Sequence, residues 1–228
     1  MAKADGTTKP RGRPRDARIA ASVTAATLQL LEEGGYSAVS VGEVARCAGT
    51  SRSAIYRRWS GRAELVLAAI ESRLTTPAPP DTGCTLCDIA DSLTIFLAAY
   101  RTIRPEVFSA LYSECVLDPE LRRRYLEAVI EPSRRAVREM LRRAVARGDL
   151  RDDVDIERML DIVAAFVHYR ALFGDHLGDE EAERTIETIM RGAAVDYDAL
   201  LAHSRAVDGN HVDTAGQHHV RIGGAAGD

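Results

Sequence analysis

Gly49 stands between two short apolar-periodic stretches, and it limits what the surrounding chain can build more than any other residue. Upstream, Ser40 followed three residues later by Glu43 has the form of a capping box. In that motif the hydroxyl accepts from a first-turn N–H and the carboxylate reaches back to the N–H of the cap. A helix therefore starts at Val41, with Val44, Ala45 and Ala48 on one apolar face, and Gly49 suits the left-handed residue just past its end. Downstream, Thr50 or Ser51 can cap a second short helix, and Ile55 and Trp59, four apart, supply its buried edge. Arg52, Ser53, Tyr56 and Arg57 project from its other sides. Two short helices joined by a tight Gly-containing turn form a helix-turn-helix, whose second helix presents its N-terminal side chains to base edges in the DNA major groove.

The upstream chain supports this reading. Ile19, Val23, Ala26, Leu30 and Leu31 make an apolar stripe along a helix expected over residues 16–33, which can roof the two short ones. Gly34-Gly35 ends it, and Tyr36 and Val39 plug the same small core. Charge is distributed to match. The whole chain carries 30 Lys and Arg against 34 Asp and Glu, yet its first 62 residues hold 11 basic and 5 acidic side chains. One end is thus suited to a polyanion, because phosphate neutralisation with counterion release supplies most non-specific affinity for DNA. The Lys9 to Arg15 run, interrupted by Pro and Gly and dense in guanidinium, reads as a minor-groove or backbone arm, with Arg15 at its end.

The length and 46% apolar content allow a sizeable core. No apolar run approaches the roughly 20 residues of a membrane span, and the N-terminus lacks the apolar segment of a signal peptide, which places the chain in the cytoplasm. Four cysteines include a single C-x-x-C, Cys84 and Cys87, without the second pair of a zinc site or a strand-helix context for redox chemistry. P-loop, Rossmann glycines and nucleophile elbow are absent, so neither an enzyme nor a bound metal or cofactor is expected.

The rest reads as helical throughout. A helix from Arg62 runs until the Pro77-Ala78-Pro79-Pro80 stretch. Further helices are expected over 86–103, 105–115 and 119–130, followed by a restart or kink at Pro132, a basic stretch over 134–147, and two long amphipathic helices over 155–173 and 180–201. With no credible strand run the fold class is all-α. Its expected parts are a basic arm (1–14), a helix-turn-helix domain (15–62), a helical domain (63–203) and, where Gly, His, Asp and Ala take over, a mobile tail (204–228).

The run AGTSRSAIYRRWSGRAEL resembles the DNA-binding domain of TetR-type transcriptional regulators, over a segment from Arg15 to Ile70. The Arg147 to Arg151 segment resembles the "basic helix, Arg-Gly-Asp/Glu-Leu-Arg" pattern of some of that family's C-terminal domains. The resemblance implies that Thr50 or Ser51 caps the third helix and donates to a phosphate, that Arg52, Ser53, Tyr56 and Arg57 face the groove, and that Arg62 touches the DNA backbone. Arg57 stands where the family usually has an aromatic residue and can either read guanine or grip phosphate. Gly61 stands in place of a usual capping serine, and Trp59 occupies an aromatic core position.

A single recognition helix contacts too few bases for specificity, so a homodimer on a palindromic duplex is expected. Its four-helix interface is expected from the last two helices, along Ile156, Leu160, Val163 and Val167 on one and Ile186, Ile189, Met190, Ala193, Tyr197 and Leu200 on the other. The alternative is that these stripes close the core of the protomer. The family resemblance further implies a repressor released by a small-molecule effector, whose pocket can draw on Phe96, Tyr100, Phe108, Tyr112, Tyr125, Phe166 and Tyr169, with His168 or Arg104 as polar anchor. An architectural DNA binder without an effector is the competing reading.

Overall fold

A computed structural model of the chain describes residues 13–173 and 178–210. Among these, eleven α-helices follow one another: α1 (Arg13–Ala38), α2 (Val41–Cys47), α3 (Arg52–Tyr56), α4 (Arg62–Arg73), α5 (Thr85–Thr102), α6 (Pro105–Leu117), α7 (Pro119–Tyr125), α8 (Glu131–Ala146), α9 (Ile156–Phe173), α10 (Asp179–Arg191) and α11 (Tyr197–Asn210). The fold class is all-α, as the sequence leads one to expect. The chain divides into two compact units. One holds the residues up to Arg73 together with 106–122, and the other holds 74–105 together with the chain from Arg123 onward.

In the first unit, α1 starts three residues before the expected Asp16 and is bent rather than ended by its glycines. Gly35 has φ 68°, a conformation a side chain resists, and one helical turn resumes beyond it. Val23, Ala26, Leu30 and Leu31 are buried and Ile19 is half-buried, as the stripe predicts. α4 buries Ala63, Leu65, Val66, Leu67, Ala69 and Ile70, and Arg73 near its end reaches Glu32 of α1 at 3.3 Å.

The second unit packs α5, α8, α9, α10 and α11 around one core, with Leu86, Met140, Leu160, Ile186 and Met190 among its fully buried side chains. Between α7 and α8 the chain forms a π-helical turn over Leu126–Ile130, so the restart expected at Pro132 begins one residue earlier, with Pro in the first turn of α8. The single helix expected over 180–201 is two. α10 ends at Gly192, and Asp196 starts α11 by accepting the N–H of Ala199 at 3.0 Å. The apolar period runs on through this break because Ala193 and Tyr197 are buried on both sides of it, which hid the cap. α11 then extends to Asn210, so the part of the expected tail at 204–210 is helical, and buried Ser204 lies on it. Residues 211–228 of that tail and 1–12 of the basic arm lie outside the described residues.

The Arg147 to Arg151 segment explains why α10 stops. Arg151 N–H donates to Ala193 O at 2.9 Å and Val195 N–H to Asp149 O at 3.1 Å, with Leu150 and Ala194 paired as an isolated antiparallel bridge. A strand-like segment replaces a helical turn here. Arg147 and Asp149 also tie down the start of α5: Arg147 Nη2 donates to Thr85 Oγ1 at 2.8 Å, and Thr85 in turn donates to Asp149 Oδ2. Asp88, almost fully buried, accepts the N–H and hydroxyl of Thr82 at 2.8 Å each. Cys84 and Cys87 are joined as a disulfide across this first turn of α5, with their Cα atoms 5.3 Å apart.

Arg134 and Arg138 of α8 bind Glu157 of α9 at 3.2 and 2.5 Å, and Arg134 also holds Asp161 at 2.7 Å. The Arg138 bond and the Arg134 charge together bring the Glu157 carboxyl down to about 2 from an ordinary 4.5. A depressed carboxyl stabilises the fold above the unfolded value and loses that contribution as pH falls through the folded one. Thermal melts of the wild type should therefore drop between pH 4.5 and 2 more steeply than those of Glu157→Gln, and the difference should shrink in high salt because the carboxylate is exposed.

Candidate nucleic-acid interface

Ser40 caps α2 as expected, accepting the N–H of Glu43 at 3.1 Å. The second half of the capping box is absent. The Glu43 carboxylate turns instead to Arg46, which donates to it at 2.9 and 2.8 Å, because a guanidinium one turn on is a stronger partner than a neutral N–H. At the other end Ala48 is the last helical residue, Gly49 takes φ 61°, and the N–H groups of Gly49 and Thr50 close on the carbonyls of Arg46 and Ala45 at 3.3 and 3.0 Å. These two bonds form a Schellman turn. It leads into α3 with Ser51, and not Thr50, as the cap, accepting the N–H of Ala54 at 3.2 Å.

α3 is shorter than expected. It stops at Tyr56 with Arg57 as its C-cap, and Trp59 follows in a turn whose N–H still bonds Ile55 O at 3.1 Å. Ala54, Ile55 and Trp59 are buried behind it, whereas Ser51, Arg52, Ser53, Tyr56 and Arg57 are all exposed, Tyr56 by 56%. The structure therefore brings five of the eight predicted DNA-facing residues onto one open surface. The Arg52 guanidinium lies over Gly42, where an added Cβ would meet Nη2 at 2.7 Å, so a side chain there would push the guanidinium aside. Thr50 is half-buried in the turn. Arg15 lies on the first turn of α1 with its side chain outside the described residues.

Arg62 opens α4 without a serine cap. Glu64 makes up for this by accepting the N–H of Ser60 at 2.6 Å. Arg62 itself is not free: its Nη2 donates to Glu114 Oε1 of α6 at 2.8 Å, and its guanidinium sits 4.5 Å from the centre of the Tyr36 ring. No local sequence signal could announce a pairing across 52 residues.

Residues 23–69, which span α2, the glycine turn and α3, match the family described as bacterial regulatory proteins, tetR family, and residues 79–189 match the tetracyclin repressor-like C-terminal domain. The HTH-type transcriptional regulator YdeS of Bacillus subtilis is 32% identical over 80% of this chain and 93% of its own length. The chain belongs to the TetR family of bacterial regulators. Another TetR-family member, the DNA-binding transcriptional repressor TetR of Mycobacteroides abscessus, is 29% identical over 75% of this chain and 90% of that one. Among solved structures, the TetR family transcription regulator SCO0332 superposes with a TM-score of 0.61 at 25% identity, over 77% of this chain and 98% of that one.

The aromatic residues expected at a pocket fall in both units. Phe108 and Tyr112 belong to α6 in the first unit, the former buried and the latter 57% exposed. In the second unit Tyr125 is buried, Phe96 and Phe166 are half-buried against the core, and Tyr169 is 62% exposed. Tyr100 and His168 do meet, with Tyr100 Oη and His168 Nδ1 2.7 Å apart. Burial pushes the phenol up and the imidazole down, which favours a neutral imidazole accepting from a phenol that keeps its proton. An apolar void of about 20 Å³ lies in the core between Leu93, Met140, Leu160 and Met190, large enough for one water. A solvent-open cleft of about 600 Å³ runs between Pro77, Pro79 and the arginines of α8. None of the eight expected residues lines either one.

Replacing Trp59 by Ala removes the buried ring behind α3 and should cost about 3–5 kcal/mol. Replacing exposed Arg57 by Ala should leave the melt within about 0.5 kcal/mol of the wild type. Thermal unfolding of the two variants checks both.

Proposed function

We propose that this TetR-family regulator is a homodimeric, sequence-specific repressor that leaves a palindromic operator when a small molecule binds its helical unit. The observation that carries the DNA-binding part is the exposed row Arg52, Ser53, Tyr56 and Arg57 on a helix whose opposite side is buried. The donors at base-edge distance would be the α3 side chains, with Ser51 and Thr50 at phosphates and Arg57 either on guanine or on phosphate. Repression is supported by the 29% identity to the repressor of Mycobacteroides abscessus. Regulation of transcription beside the chromosome makes the cytoplasm its place, and no chemical step is assigned to it. Among the described residues no helix is long and apolar enough to cross a membrane.

Much of the apolar stripe expected at the dimer surface is buried within the protomer, as the alternative reading of that stripe had it. Leu160, Val163, Val167, Ile186, Met190, Ala193 and Tyr197 are spent on the protomer's own core. What α9 leaves outside is another row, Ile162, Tyr169 and Phe173, exposed by 51, 62 and 75%, with the Tyr169 and Phe173 rings 5.7 Å apart and tilted by 40° to each other. Apolar area of this kind on a helix face favours burial against a second copy.

A second reading, regulation without an effector, is favoured by one observation. The void inside the second unit holds about 20 Å³, against the several hundred that ligand pockets occupy.

Selection from a random duplex library at about 0.15 M salt should enrich an inverted repeat bound by an even number of protomers. Binding that only fades with salt, with no motif, would leave an architectural binder. Arg57→Ala should weaken operator binding by about 1–3 kcal/mol and blur one position of each half-site if it reads a base, or weaken all sequences equally if it grips phosphate. Ile162→Asp with Phe173→Asp should convert the dimer to protomers by light scattering with helicity intact, and an unchanged mass would remove this face from the interface.

A further inference from the structure

Arg62 and the phosphate it is assigned to are not alone. A single carboxylate oxygen, Glu114 Oε1, accepts from Arg62 Nη2 at 2.8 Å and from the Tyr36 hydroxyl at 2.6 Å, while the guanidinium stacks on the same tyrosine. The three side chains come from α4, α1 and α6, all in the first unit. Burial alone would raise the Glu114 carboxyl. The bonds from Tyr36 and Arg62 and the Arg62 charge outweigh it and hold the group below its ordinary value, so it stays ionised at neutral pH. The Tyr36 phenol is pushed up by burial and by Glu114, and it keeps its proton to donate.

A guanidinium paired with a carboxylate carries no net charge toward a polyanion, and a DNA phosphate and Glu114 are chemically alike as acceptors. Arg62 can add counterion release on DNA binding only to the extent that Glu114 lets go of it. We propose that Glu114 is a positioning residue that competes with DNA phosphate for Arg62, so that the place of α6 decides whether Arg62 contributes to DNA affinity. This rests on the reading of Arg62 as a phosphate contact. The chain makes the competition adjustable. The segment 106–122, which carries α6 and the start of α7, belongs to the first unit, yet at residues 105–106 and 122–123 the chain continues directly into segments of the second. A shift of α6 along or away from α4 changes the Arg62–Glu114 distance without touching α3.

The test measures the affinity of the full-length protein for its selected duplex, or for a mixed-sequence duplex if none is selected, at a series of salt concentrations. Four proteins are compared: wild type, Glu114→Gln, Arg62→Gln and the double variant, each first checked for a cooperative melt. Glu114→Gln should bind several-fold more tightly near 0.15 M salt and steepen the slope of log K against log salt by about 0.9, the value of one further phosphate contact. In the Arg62→Gln background the same change should do nothing. A general charge effect would persist in that background, so tighter binding there overturns the proposal. So does a folded Glu114→Gln with the wild-type slope. Glu114→Asp keeps the charge but withdraws the carboxylate by one methylene; it should also tighten binding, and a wild-type slope in this variant overturns the proposal even if Glu114→Gln does not fold. Wild-type binding that Arg62→Gln leaves unchanged would instead remove Arg62 from the interface. A wild type that binds no duplex would end the DNA-binding reading itself.

Discussion

A helix of five residues has no stability of its own, and everything the first unit presents to its surroundings depends on holding one in place. Nucleation is unfavourable at this length, so α3 exists because its ends and its back are fixed from outside. Ser51 satisfies an N–H at its start, the Schellman turn at Gly49 sets the direction from which it leaves α2, and Ile55 and Trp59 anchor it from behind. The bulk of the binding energy is hydrophobic and lies on the side away from solvent. The exposed side, Ser51 apart, is therefore released from packing and can carry arginine, serine and tyrosine.

This division of labour is why the interface was legible in the sequence to the degree it was. Caps and turns are local: Ser40, Gly49 and Ser51 announce themselves within four residues of the atoms they bond. The apolar period of α1 and α9 is likewise local, and it located the helices to within a few residues. What was not legible depended on partners far along the chain. The pairing of Arg62 with Glu114 spans 52 positions, and the stop between α10 and α11 is imposed by Asp149 and Arg151, more than 40 residues away. Periodicity says that a residue is apolar on one face. It does not say which neighbour that face meets, so the stripe on α9 was assigned to a partner chain when its buried half closes the protomer and a different half lies outside.

The aromatic residues show the same limit more sharply. A list of Phe and Tyr side chains in a helical region carries no information about convergence. Two of them are on α6 in the first unit, and two, Tyr112 and Tyr169, are largely exposed. The Tyr100–His168 pair is a real contact, yet each half looks on its own like an ordinary core residue, and only their 2.7 Å approach and complementary shifts mark them out. The core void in the same unit is lined, apart from Ser92 and Thr185, by Leu, Ile, Val and Met, residues that sequence reasoning assigns to packing by default.

Charge counting overstates what the first unit can offer DNA. Of its arginines, Arg46 is held by Glu43, Arg73 by Glu32 and Arg62 by Glu114, at 2.8, 3.3 and 2.8 Å. Arg52 and Arg57 make no ion pair among the described residues, and both are exposed on or beside α3. Among the described residues, the basic side chains of the first unit thus include cations already held by a carboxylate and cations standing open, and two of the open ones lie on or beside the helix whose back is buried. Exposed pairs such as Arg46–Glu43 are worth little and exchange readily with solvent. The Arg62 pair differs because a buried phenol shares its acceptor oxygen and a ring covers the guanidinium. An arginine held in that way is oriented before any phosphate arrives, and its release breaks the bond to Glu114 and the contact with the Tyr36 ring.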